Sequence, residues 1–238
     1  MQVDAGRTTH RMKASAGNQE SFDEAVPLIA PPAFQVGSVF GRLVAVPMEA
    51  MGRMSATTAN TRASLVADIT TPIALSAAAF ARHTVHALPA FLTVSIGLLL
   101  FTLVEYVFHR WIFHGTRSLK EFEEGHARHH RDPLGDDALP FFLPPAILLI
   151  LAGLFWVVVP AGYALLLAAS IGFGYASYGL GHFVIHNVRF RNPIGRSWAA
   201  RHHIHHHHPD RNFGVTTPLW DIVLGTRYVS KRVRPRAS

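Results

Sequence analysis

Histidine is the residue type with most chemistry to offer in this chain. It occurs 16 times in 238 residues, and 13 of the 16 fall in two windows, 109–130 and 182–208. They form four groups: His109-Arg-Trp-Ile-Phe-His114, His126-Ala-Arg-His129-His130, His182-Phe-Val-Ile-His186 and His202-His203-Ile-His205-His206-His207-His208. Neutral imidazole is a strong ligand for iron, zinc, copper and nickel. Spacings of i, i+3 and i+4 place imidazoles on one face of a helix. His182 and His186 have the i, i+4 spacing; His126, His129 and His130, and again His202, His205 and His206, have the three-residue pattern. His109 and His114 lie five apart, about 140° on an α-helix. They therefore either serve two different metals or mark a helix end near His114 and Gly115. Two, three, two and three imidazoles make ten, too many for one ion and suited to two ions with about five each. This points to a dinuclear centre with room for an exogenous ligand.

The elements that must position these groups are apolar. Hydrophobic residues make up 49% of the chain and charged residues 16%, below the roughly 25% usual in soluble domains. A mostly disordered chain is excluded. Ala87–Val104 runs 18 residues without a charge, about one bilayer crossing, and Leu139–Gly181 runs 43. The second run breaks at Val159-Pro160-Ala161-Gly162, so Phe141–Val159 and Ala161–Gly181 read as a transmembrane hairpin. Ile69–Ala81, Ala-rich and interrupted by Pro72, is left open between a half-crossing and the first arm of another hairpin. Residues 1–62 show no sustained period. The expected organisation is an N-terminal tail, 1–84, largely flexible, then a membrane domain, 85–238. Small residues in the second hairpin arm (Gly172, Gly174, Ala176, Ser177, Gly179 and Gly181) suit close helix packing, with a groove for a lipid tail as the sharper alternative.

Lys and Arg set the orientation. The connector at Pro160 has none, Glu105–Ala138 has five and Asn187–Ser238 has ten. Both histidine windows are therefore expected to face the cytoplasm, across the inner membrane if the cell is bacterial. The net charge of +7 is spread around the apolar runs, which fits a membrane protein and not a nucleic-acid binder. Cysteine is absent, which excludes disulfides, thiolate zinc sites, iron–sulfur clusters and a cysteine nucleophile. The fold expected is an all-α integral membrane bundle of three to four transmembrane helices, with a cytoplasmic histidine-rich helical cap holding the dinuclear site.

The order of the four boxes, with a membrane hairpin between the second and third, resembles the fatty acid hydroxylase / sterol desaturase superfamily of membrane di-metal oxygenases. The resemblance covers roughly Phe91 to Thr226. Asn212-Phe213-Gly214-Val215-Thr216-Thr217-Pro218-Leu219-Trp220-Asp221, followed by Gly225-Thr226, is similar to the segment after the last box in the fatty acid hydroxylase branch. The resemblance implies His109, His114, His126, His129, His130, His182, His186, His202, His205 and His206 as metal ligands. His203, His206 and His207 fit the last box by spacing equally well. The preferred register is His202/His205/His206, with His203 and His207 as alternative ligands. Glu105, Tyr178 and Asp221 are candidates to orient ligands through the free ring nitrogen. His10, His83 and His86 are bystanders.

The activity implied is O2-dependent hydroxylation, with desaturation as a variant, of a lipid acyl chain. It would use two iron ions, with zinc able to fill the site in isolated samples, O2 as cosubstrate and two external electrons. No haem-pocket or dinucleotide-binding pattern accompanies the boxes, so a separate electron-donor protein is implied, docking on the basic surface around Arg189, Arg191, Arg196 and Arg201. The alternatives are a sterol or carotenoid hydroxylase or desaturase of the same superfamily and, in a different class, a His-rich membrane metal-handling protein. The latter would need ionisable residues within the membrane, and the hairpin arms have none before His182.

Overall fold

The structure is a computed structural model that describes residues 50–115, 120–135 and 138–230. The described elements are all helical: α1 (Thr58–Phe80), α2 (Ala87–Val107) continuing into a π-helical turn (Phe108–Phe113), α3 (Lys120–Arg131), α4 (Leu143–Trp156), α5 (Ala161–Asn187), α6 (Pro193–His207) and α7 (Leu219–Val223). Three helical stretches are long and apolar enough to cross a membrane: Thr58–Phe80, Ala87–Phe113 and Ala161–Asn187. Leu143–Trp156 is apolar but shorter. It forms the first arm of the hairpin, and α5 the second.

The central helix is α5, against which α1, α2 and α4 all pack. Its small residues let them come close. A Cβ on Gly174 would stand 2.4 Å from the Phe101 ring, and one on Gly172 would stand 2.7 Å from Leu148 and 3.1 Å from Pro72. The buried cluster Leu75, Phe101, Leu148, Ala152, Ala168, Ala169 and Ile171 joins the four helices. Close packing thus accounts for the small residues over the first half of α5. Facing outward are Leu65, Val66, Ile69 and Ile73 of α1, Phe91, Leu92 and Ile96 of α2, and Leu149, Ile150 and Leu154 of α4. A bundle that turns its large apolar side chains outward is built for lipid, not water.

The N-terminal region departs from expectation. Residues 58–80, placed by sequence in the flexible tail, form a 23-residue helix of the bundle that includes the whole of Ile69–Phe80. Pro72 does not break it. Two polar anchors tie its start to the entrance of α4: Asn60 Nδ2 donates to the Leu139 carbonyl (2.9 Å) and Ser64 Oγ donates to the same oxygen (2.8 Å). Phe141 N in turn donates to Asn60 Oδ1 at 3.0 Å. Weak periodicity at the helix's outer face hid it, since a helix facing lipid is apolar on both sides. The part of the expected tail before residue 50, including His10, lies outside the described residues.

Close approach at α5 predicts a sharp size limit. Gly174→Val should lower the melting temperature in detergent by several degrees, through overpacking worth about 1–3 kcal/mol. Gly153→Ala, where nothing lies within 4 Å of the added carbon, should leave it nearly unchanged.

Candidate metal centre

Ten imidazoles converge at one end of the bundle in two sets of five. His109, His114, His126, His130 and His205 form one; His129, His182, His186, His202 and His206 form the other. Within each set the candidate ligand atoms all lie within 4.8 Å of one another. These are the ten positions taken from the sequence. The two sets share a plan. One takes the His109/His114 pair, the other the His182/His186 pair. Then α3 gives His126 and His130 to the first set and His129 to the second, while α6 gives His202 and His206 to the second and His205 to the first. Helix geometry makes this exchange natural. At about 100° per residue, i and i+4 lie about 40° apart, whereas i+3 falls on the other side of i.

His109 and His114 belong to one set, not two, and their rings stack at 5.3 Å. The helix does end at this point, with His114 as its C-cap. The segment between them is π-helical. An i→i+5 winding returns to the same face after five residues, which an α-helix would miss by about 140°.

Ring-nitrogen distances decide what the convergence is for. His126 Nε2 lies 3.1 Å from His109 Nε2, 2.9 Å from His114 Nε2 and 3.0 Å from His130 Nε2. His202 Nε2 occupies the same place in the other set, 2.9 Å from His182 Nε2, 2.9 Å from His186 Nε2 and 3.0 Å from His206 Nε2. One imidazole nitrogen has either one proton or one lone pair in the ring plane, so it cannot hydrogen-bond with three partners. A cation satisfies them all: nitrogens at about 2.1 Å from an ion, 90° apart, stand about 3.0 Å from each other. The donor set is thus suited to two metal ions, each held by imidazole alone.

Burial and mutual crowding keep these rings neutral, the form that binds metal. Burial and the neighbouring His130 hold His114 down at about 4. Burial, then His186 and His130, hold His129 at about 4. His205 falls to about 3 through burial, partly offset by its bond to the Arg211 carbonyl, and His206 to about 2 through burial and the other imidazoles. Burial, reinforced by adjacent imidazoles, pushes His126 and His202 further down still.

The segment after α6 locks the first set. His109 Nδ1 meets the Phe213 carbonyl at 2.5 Å and His205 Nδ1 meets the Arg211 carbonyl at 2.7 Å. A carbonyl only accepts, so each Nδ1 carries the proton and each Nε2 turns its lone pair inward. The loop carrying Phe213 is itself held by two buried carboxylates. Phe213 N and Gly214 N donate to Asp221 Oδ1 and Oδ2, both at 2.8 Å. Val215 N and Thr216 N donate to Glu105 Oε1 at 2.5 and 3.0 Å, and the Thr216 hydroxyl donates to Glu105 Oε2. Glu105 and Asp221 therefore act on the loop, and through it on His109, without touching a ring nitrogen of the set. Tyr178 lies parallel to His182 at 5.5 Å.

Several contributors escape a reading of side-chain types. The Phe213 and Arg211 carbonyls are backbone groups. Asn212 sits at φ 55°, its Nδ2 donating to the Arg201 carbonyl and its Oδ1 accepting from Tyr228 N. A Cβ on Gly214 would fall 2.1 Å from the Thr217 carbonyl oxygen, so that position admits only glycine. The Trp220 indole donates to Thr102 Oγ1 of α2 at 3.0 Å, fixing α7 to the bundle. These roles were carried in the sequence only by the turn-rich run Asn212–Asp221. His203 lies outside both sets, exposed, with its ring 5.5 Å from that of His186; His207 is exposed too, and His208 stacks on Tyr228. His83 and His86 stand apart from both sets, at the turn between α1 and α2.

Comparison with known proteins gives a consistent picture. A family model described as fatty acid hydroxylase matches residues 94–226. The dihydroceramide fatty acyl 2-hydroxylase FAH1 of Arabidopsis thaliana is 32% identical over 151 residues, covering 59% of this chain and 62% of the relative. The ceramide very long chain fatty acid hydroxylase SCS7 of Saccharomyces cerevisiae is 32% identical over 144 residues, covering 55% of this chain and 36% of the relative. A solved structure titled full-length scs7p, with only the hydroxylase domain visible, aligns with a TM-score of 0.63 at 26% identity, covering 74% of this chain and 69% of that one. The aligned part spans less than two thirds of the length of either curated relative.

Two outcomes follow from this geometry. Asp221→Ala strands the Phe213 and Gly214 amides and should weaken metal binding at the first set by about 10–100-fold, leaving the second set loaded in a chelator challenge. Equal loss from both sets would contradict the loop's role. The set histidines outside the membrane spans, His114, His126, His129, His130, His202, His205 and His206, have folded pKa values below their unfolded value near 6.5, so the unfolded chain binds more protons below that pH. Metal-free protein should therefore melt at a constant temperature above about pH 6.5 and progressively lower as pH falls toward 4, and bound metal should steepen that acid loss.

Proposed function

The chain belongs to the fatty acid hydroxylase family, and from that membership we propose that it is a membrane-bound oxygenase acting on a lipid acyl chain. It takes one oxygen atom of O2 into a C–H bond and releases the other as water. Two iron ions in the two histidine sets and two electrons from a separate electron-donor protein complete the balance, with two protons consumed. The observation that carries this reading is the pair of five-imidazole sets at the end of an apolar helical bundle.

Bound iron supplies the redox capacity for attack on an unactivated C–H bond, which no side chain has. The chain's own residues do the rest. Ten imidazoles present neutral nitrogens in two adjoining cages, and the stacked rings of His130 and His206, 4.4 Å apart, bring the cages side by side. The Nδ1 protons of His109 and His205 rest on backbone carbonyls, so these ligands keep one tautomer. The rings of Phe113 and Phe213 pack against His126 and His109 and give the first set apolar walls on that side. On the other side α5 carries His182 and His186 out of the bundle core, so an acyl chain lying along α5 leads to the second set.

The histidine cap is proposed to face the cytoplasm, at the inner membrane of a bacterial cell. Arg189, Arg191 and Arg196 are exposed beside α6 and would meet an acidic electron donor; Arg201 is half-buried at the edge of this surface. The names of the relatives, fatty acyl 2-hydroxylase among them, support hydroxylation over desaturation.

Labelled dioxygen tests the proposal. Cells expressing the protein with iron and a competent donor should yield acyl lipids with one labelled oxygen, and His186→Ala should abolish nearly all of it. Protein loaded only with zinc should give none, since zinc has no redox chemistry. Label found only in a sterol or carotenoid would move the substrate to the other branch of the superfamily. No labelled lipid at all would contradict the oxygenase reading.

A further inference from the structure

The last histidine run is longer than the two sets require. It holds six histidines between 202 and 208, and His202, His205 and His206 are the ones that enter the sets. Of the three left over, His208 is the C-cap of α6 and stacks on the Tyr228 ring at 4.6 Å. His203 and His207 remain, both within α6 and both exposed.

Helix geometry makes these two a pair. At the i, i+4 spacing their Cβ atoms stand about 5–6 Å apart on one face of α6. Two helical histidines at this spacing can hold one ion between them, as in the H-E-x-x-H helices of zinc proteases. The pair also copies one already in use. His202 and His206 have the same spacing, and advancing both by one residue turns the pair about 100° around the helix. Helix α6 therefore carries two parallel histidine stripes. The first enters the second set, and the other faces solution.

His186 borders both stripes. Its ring lies 4.8 Å from that of His202, 4.9 Å from His206 and 5.5 Å from His203. His202, at the centre of the second set, is buried, whereas His203 is open to solvent. The way from solution to the second set on this side thus runs from His203 past His186.

We propose that His203 and His207 form a third, exchangeable site for a divalent transition-metal ion, from which the ion passes by way of His186 into the second set. Two imidazoles, with water in the remaining positions, hold an ion far less tightly than five. That suits a site that captures an ion from dilute solution and then gives it up. The transfer replaces water and imidazole on the ion by other imidazoles, with no change in its charge or oxidation state. The site itself goes beyond the oxygenase reading, and its transfer role rests only on the second set holding metal.

Zinc binding tests both parts without recourse to activity. Metal-free full-length protein in a phosphate-free detergent is dialysed against excess zinc, with empty micelles as the blank. The wild type should hold three ions per chain and the His203→Gln/His207→Gln variant two. After desalting both should hold two, which also shows that the variant's sets are intact. The His83→Gln/His86→Gln variant should keep all three in dialysis. At limiting zinc, the His203→Gln/His207→Gln chain should fill about tenfold more slowly than the wild type, having lost the raised local metal concentration beside His186, and reach the same end point. Equal zinc in the wild type and the His203→Gln/His207→Gln variant, or an equal loss in the His83→Gln/His86→Gln variant, overturns the site. Loss of the third ion with an unchanged filling rate overturns the transfer role. A wild-type total of two that falls to one in the His203→Gln/His207→Gln variant supports the pair and counts against the two-set reading alone.

Discussion

An imidazole nitrogen cannot stand about 3 Å from three others without something positive among them. That constraint governs this molecule twice. Each set places one nitrogen, from His126 or from His202, against three others, a density no pattern of shared protons satisfies. Protonating the rings makes matters worse, because burial and mutual repulsion both resist the added charge. The structure must therefore bring ten neutral rings together and hold them ready for cations, and its helices are arranged around that need.

Rigidity comes from two directions. From the membrane side, α5 draws α1, α2 and α4 close through Gly172 and Gly174, so that the ends of α2 and α5 deliver their histidine pairs at fixed positions. From the cap side, the loop after α6 is clamped by Asp221 and Glu105, which between them accept from four consecutive amides, residues 213–216. A chain of hydrogen bonds strengthens the clamp: Arg110 donates to the Tyr106 hydroxyl, which bonds to Thr226 Oγ1, which donates to Asp221 Oδ1. Since α3 and α6 each serve both sets, displacing either helix would open both cages at once.

The ten site positions were legible because their chemistry lies in side chains at helical spacings, and His202, His205 and His206 are the members of the last run that enter the sets. The division of each trio between two sets follows from rotation of about 100° per residue. What the spacing did not carry was the π-helical turn, because an i+5 pair looks mismatched until the backbone winding is known. Glu105 and Asp221 were picked out as polar residues near ligands, but their partners are amides more than a hundred and about eight residues away, respectively, along the chain. The helix α1 was obscured by Pro72 and by a lipid-facing composition without alternation.

The central claim is that the two sets are separate metal sites of one chain. Metal content of the purified, iron-reconstituted protein, compared with His126→Ala and His202→Ala, tests it most directly. Two ions per chain are expected in the wild type and one in each variant, with the remaining ion in the undisturbed set. A wild-type chain that saturates at a single ion would contradict the account.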